Sequence, residues 1–303
     1  MELPESAPPN QYIVVQYSRA PAARRDAYER LKHECLRGAE AAKLLEKLRD
    51  LIEKSKDELE QTVTNYTQQM LLSAVRVSER QCPELQKTLA SAQAKILAVF
   101  GTRAETASKA QLYLKQDVAA NASSLALPCP RPVVFVTDAL VRLLSLQELE
   151  LVLLHELAHI VYADSKTVVA MKMKMALLSD GTLAGMQQAQ SALNDYNLLQ
   201  AGFELTADRA MLECAGAAQW TVVLSMFAKL AGGAVGETLN GQAFLEQLSD
   251  EQDLTERTIV DAAIAANPHQ PLLYRVQELQ RFKSSSAFTA RAAPAAPARR
   301  PRL

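Results

Sequence analysis

Apolar positions crowd one stretch of the chain. Between Leu149 and Val161, residues Leu149, Leu151, Val152, Leu153, Leu154, Leu157, Ala158, Ile160 and Val161 leave almost no polar face. A helix that is apolar on nearly every side is a buried one. Ser145-Leu-Gln-Glu148 just ahead has the capping-box pattern and predicts that this helix starts near Leu146. The pattern from about Ala22 to Val63 is different. There Leu44, Leu48, Leu51, Ile52 and Leu59 form a single stripe, with Glu, Lys, Arg and Asp on the other faces, as expected of amphipathic helix. A second helical segment runs from about Pro83 to Phe100 and stops at Gly101, which suits a C-cap. This region reads as a helical hairpin packed on the rest of the protein. A coiled coil that binds a partner, or a second copy, is the alternative.

Two short runs read as strands. Tyr12 to Tyr17 is β-branched and aromatic, and Val133 to Thr137 is a continuous apolar run behind the rigid segment Pro128-Cys-Pro-Arg-Pro132. The prolines place the second strand at or near a sheet edge, because proline cannot donate to a ladder. From Asp138 to about Phe282 the chain reads as helices. Their loops are marked by Ser179-Asp180-Gly181, by Gly232 through Gly241 and by Asn267-Pro268. The expected fold is mainly α with a small β-sheet (α+β). Its parts would be an N-terminal helical region (1–109), a main domain (110–283) and a disordered tail (284–303), the last being Ser, Ala, Pro and Arg.

Composition narrows the functions. A chain of 303 residues with net charge -1 has no overall pull toward nucleic acid or an anionic membrane. Leu and Ala dominate, which favours helices. The four cysteines are far apart with no CxxC pair, so they read as reduced structural thiols. The N-terminal MELPESAPPN has neither a basic nor an apolar leader segment, and no apolar run reaches the ~18 residues of a spanning helix. A cytoplasmic location is expected.

The buried helix carries three ionisable groups, His155, Glu156 and His159. In such surroundings they would cost several kcal/mol each unless compensated. A divalent cation compensates them. His155 and His159 are i and i+4, so both imidazoles project from one face toward one ion, and Glu156 is placed to act as base on a water. Zinc suits imidazole and carboxylate ligands and leaves a position open for chemistry. A third ligand is available from the helical stretch Tyr196–Glu213, where Glu204 and Asp208 lie one turn apart. Glu204 can ligate, and Asp208 can accept a hydrogen bond from a ligand imidazole. Satisfied core histidines and solvated carboxylates are the bland alternatives. Of the remaining histidines, His33 reads as a surface residue, and His269 sits in a loop ahead of the last helix, six residues before Arg275.

These segments, in this order, resemble the zinc metallopeptidases that include the HtpX heat-shock proteases and the CAAX prenyl endopeptidases, a gluzincin group. Asn121 to Leu125 resembles that family's Asn-Ala strand, and Val134 to Leu144 its strand and helix before the site. Glu148 to Ile160 resembles the H-E-x-x-H helix, and Glu204 to Asp208 the E-x-x-x-D motif. His269 to Arg275 is similar to its His-Pro…Arg segment, with Gln270 in place of the usual proline. The resemblance covers roughly residues 110 to 282. It implies an endopeptidase holding one zinc ion per chain on His155, His159 and Glu204, with Glu156 as general base. It implies that His269 stabilises the oxyanion, that Arg275 braces the site, and that a peptide or protein substrate adds along Val134, Phe135 and Val136. A zinc-bound but silent binding module is the second reading. Transmembrane helices common in that family are not expected here.

Overall fold

A computed structural model describes residues 27–54, 56–126, 132–164, 167, 168, 171, 183–233, 235, 239–250 and 272–288. The strand expected at Tyr12–Tyr17 and the tail beyond residue 288 lie outside these residues, as does His269. The described part is mostly helical around a four-stranded sheet.

The N-terminal part holds α1 (Ala27–Leu31), α2 (Ala39–Lys54) and α3 (Lys56–Leu72). The helical pattern is therefore broken around residues 32–38 and reaches past Val63. Strand β1 (Ala74–Arg76) follows, and then α4 (Pro83–Phe100). Gly101 ends α4 at φ 57°, a left-handed angle that glycine adopts without steric cost. Strands β2 (Gln111–Lys115), β3 (Ala122–Leu125) and β4 (Val133–Thr137) complete the sheet. The rest is α5 (Asp138–Leu143), α6 (Leu146–Tyr162), α7 (Leu183–Ala215), α8 (Trp220–Gly232), α9 (Gly241–Asp250) and α10 (Leu272–Lys283).

The sheet order is β1-β2-β4-β3, with β4 parallel to β2 and antiparallel to β3. The expected edge position of residues 133–137 is thus corrected. Val134, Phe135 and Val136 lie in an interior strand and are buried. The prolines mislead because they stand before the ladder begins. Pro132 needs no donor there, and its carbonyl accepts from Gln111 N–H at 2.9 Å. The edge strand on this side is β3.

The main core joins α4, α6, the sheet and α8. Ile96, Leu153, Leu154 and Leu157 are fully buried in it, each worth about 1.5–3 kcal/mol relative to exposure. A smaller cluster seats Leu44, Leu48 and Ile52 of α2 on Leu199 and Phe203 of α7, so these three residues of the stripe pack within the chain. Of the segment expected to be disordered, Ala287 and Phe288 instead pack on the core, with Phe288 edge-on to Phe282. His33 is a second correction. It is 1% exposed, with Nε2 at 3.7 Å from carboxylates of both Glu34 and Glu278. Its segment is pinned to α7 by Arg209–Glu34 at 2.8 Å and Arg30–Glu213 at 2.7 Å.

Candidate metal centre

Ser145 caps α6, its hydroxyl accepting from Glu148 N–H while the Glu148 carboxylate accepts from Ser145 N–H at 2.7 Å. Ser225 and Lys229 of α8 also donate to Glu148, at 2.6 and 2.9 Å. They hold its carboxyl below its ordinary range even though burial pushes it the other way. These contacts tie α8 to the start of α6 and fix how far along its axis the histidines stand.

At the other end α6 stops at Ala163, whose φ of 55° is the one positive value at a non-glycine among the described residues. Such a conformation costs a non-glycine residue of order 1 kcal/mol or more. Here it reverses the chain so that Asp164 accepts from His159 Nδ1 at 2.8 Å. Sequence reasoning missed Asp164. Its only signal was an acidic residue five positions after His159.

Helix α7 crosses α6 and brings in the other groups. His155 Nε2 lies 3.0 Å from His159 Nε2 and 3.3 Å from Glu204 Oε2, and His159 Nε2 lies 3.6 Å from Glu204 Oε1. Asp208 Oδ1 is 2.9 Å from His155 Nδ1. Arg275 of α10 forks onto Asp208 at 2.8 and 2.6 Å and reaches Glu204 at 3.0 Å. Gln200 donates to the other Glu204 oxygen at 3.2 Å. Glu156, Glu204, Asp208, Asp164 and Arg275 are all buried.

The donor chemistry fits a divalent cation. His159 Nδ1 is hydrogen-bonded to Asp164 and His155 Nδ1 stands 2.9 Å from Asp208 Oδ1; with a proton on each Nδ1, both Nε2 atoms present lone pairs, which face each other and a carboxylate. Uncompensated, that contact is repulsive; a cation makes it favourable. Ligand atoms 2.0–2.1 Å from a tetrahedral ion sit about 3.3 Å apart; the two Nε2 atoms are 3.0 Å apart, and each lies 3.3 or 3.6 Å from a different oxygen of the Glu204 carboxylate. His155, His159 and Glu204 are the one such group among the described residues. Burial alone would lower His155, but Asp208 and Glu204 overcome it and push its pKa up to about 10. His159 is likewise raised against burial, chiefly by Asp164. Burial would raise Asp208, yet Arg275 holds it low.

A cavity of about 790 Å³ opens beside these residues. It is lined by His155, Glu156, His159, Glu204, Asp208 and Arg275, by β3 (Ala122–Leu125), and by Thr62 and Tyr66 of α3. Val134, Phe135 and Val136 are not among its lining residues.

A helix bearing H-E-x-x-H, crossed by one bearing E-x-x-x-D over a cleft, defines a metallopeptidase type of centre. Residues 83–283 match Peptidase family M48, and the chain belongs to that family. The match begins with the first residue of α4. A relative from Arabidopsis thaliana, plastoglobule-localized metallopeptidase 48, chloroplastic, is 33% identical over 190 residues, 60% of this chain and 52% of the relative. The chain thus spans about half the length of that curated relative. No solved structure matches the chain. No single helix among the described residues is long and apolar enough to cross a membrane. The relative is named for the plastoglobule and lends no support to the cytoplasmic location expected from the N-terminal residues.

Proposed function

We propose that the chain is a zinc-dependent endopeptidase acting at this centre. The observation that carries the reading is the convergence of three ligand atoms whose histidines are oriented by Asp208 and Asp164, with Glu156 lining the same cavity. His155, His159 and Glu204 would hold the ion. When bound, zinc supplies Lewis acidity to a water and to the scissile carbonyl. Glu156 takes the proton of the attacking water and delivers it to the leaving amine. Asp208 and Asp164 keep both imidazoles in the ligating tautomer, and Arg275 fixes Asp208 and Glu204 at once. The substrate is an extended peptide paired to the outer edge of β3, the strand that ends the sheet among the described residues and lines the cavity.

Glu156→Gln tests the reading. It should keep one zinc per chain and lose cleavage of an unfolded protein by about 10²–10⁴-fold. A variant as active as the parent would remove Glu156 from the mechanism. A silent zinc module has no observation in its favour, because a purely structural site has no use for Glu156.

A further inference from the structure

Residues 27–37 lie ahead of the matched domain, which begins at residue 83, yet they reach both helices of the metal centre. On α7 they grip the side turned away from the ligand. Successive helical residues advance by about 100°, so Thr206, Arg209 and Glu213 stand roughly opposite Glu204 and Asp208. Thr206 Oγ1 accepts from His33 N–H at 3.0 Å, Arg209 pairs with Glu34 at 2.8 Å, and Glu213 pairs with Arg30 at 2.7 Å.

On α6 the same segment holds the last residue of the helix, Tyr162. Tyr28 stacks on it with ring centroids 4.5 Å apart and planes 22° from parallel. The Tyr162 hydroxyl donates to the Tyr28 carbonyl at 2.9 Å. Phe100 meets the Tyr162 ring edge-on, and the Arg103 guanidinium lies 4.4 Å from the Tyr28 centroid. The end of α4 and the turn after it thus brace the stack. Tyr162 immediately precedes Ala163, whose φ of 55° turns Asp164 back to His159 Nδ1. That left-handed angle is disfavoured for alanine, so neighbouring contacts must hold the chain in it. The Ala163 N–H secures one side of the turn through the His159 and Ile160 carbonyls. The stack on Tyr28 secures the residue before it.

Accepting the reading above that His155, His159 and Glu204 hold zinc, we infer that residues 27–37 clamp α6 to α7 from behind the metal, and that Tyr28 is a positioning residue for the ion. It acts at one remove. Tyr28 fixes Tyr162, Tyr162 fixes the turn at Ala163, and the turn fixes the carboxylate of Asp164 that orients His159. A segment outside the matched domain thereby sets the affinity of the centre inside it.

The test reads zinc affinity of the full chain by chelator competition, independently of cleavage. Tyr28→Ala should weaken binding about tenfold, the low end of what loss of an orienting partner costs. Tyr28→Phe keeps the ring and the carbonyl and should bind as the parent does. In an Asp164→Asn background, Tyr28→Ala should cost less than about twofold more, because the route through which it acts is already cut. A general loosening of the fold would weaken both backgrounds alike. Should Tyr28→Ala not fold, Tyr162→Phe takes its place. It deletes only the hydroxyl that crosses to the Tyr28 carbonyl and should weaken zinc about threefold. Parental affinity in the alanine variant, or in Tyr162→Phe where that replaces it, overturns the clamp and leaves the zinc site standing. So does an equal loss with and without Asp164, or a loss in Tyr28→Phe equal to that in Tyr28→Ala. A parent chain that binds no zinc overturns both.

Discussion

The cavity wall made by α6, α7 and α10 is buried and ion-paired, whereas the wall made by α3 is largely solvated. Arg275 is 9% exposed and Tyr66 is 52% exposed, yet both line the same space. The first wall must hold ligand atoms to fractions of an ångström, and burial with multiple partners does that. The second wall only borders the cavity, and its side chains there are exposed. Even within the N-terminal region the contrast persists, since Arg30 and Glu34 are tied to α7 by ion pairs, while among the described residues none joins α3 to α7.

Arg275→Ala should give the largest effect. It leaves Asp208 and Glu204 buried without their shared cation, a loss of about 3–5 kcal/mol. Denaturant unfolding of the metal-free protein should show it, and zinc should reduce it by compensating the same carboxylates. Asp164→Asn comes next. Releasing His159 from its orienting partner should weaken zinc binding about 10–100-fold, measured by chelator competition.

The pH dependence should sort the metal-free from the metal-bound protein. Because the folded-state pKa of His155 is raised from 6.5 to about 10, its contribution to metal-free stability is complete below pH 6.5. It is lost as pH rises toward 10. Zinc must displace that proton, so apparent zinc affinity should rise over the same interval. Opposite trends of melting temperature for chelated and zinc-loaded protein would be the signature. The smallest effect belongs to the other wall. Tyr66→Ala should change stability by no more than about 0.5 kcal/mol, with any kinetic change appearing in KM. A loss comparable to that of Arg275→Ala would erase the distinction between the walls.

Legibility in the sequence follows the range of the interaction. The capped start of α6, the end of α4 at Gly101 and the shared face of His155 and His159 rest on neighbours within one or two turns. So does the one-turn spacing of Glu204 and Asp208. Each could be read residue by residue, and the order of these motifs brought the family into view. Asp164 accepts from His159 Nδ1 at 2.8 Å, a contact the sequence did not reveal. It was missed because its approach to His159 depends on one left-handed residue, Ala163, whose type gives no warning.

The sequence by itself determined the buried helix, the two imidazoles on its face, the glutamate between them and the carboxylate pair that answers them, because helical periodicity converts spacing directly into direction. Only the tertiary structure decided that β3 rather than β4 forms the edge, that Arg275 joins Asp208 to Glu204, and that His33 lies inside. Strand order, ion pairing and burial are set by segments tens to hundreds of residues apart, and no local pattern encodes which of them will meet.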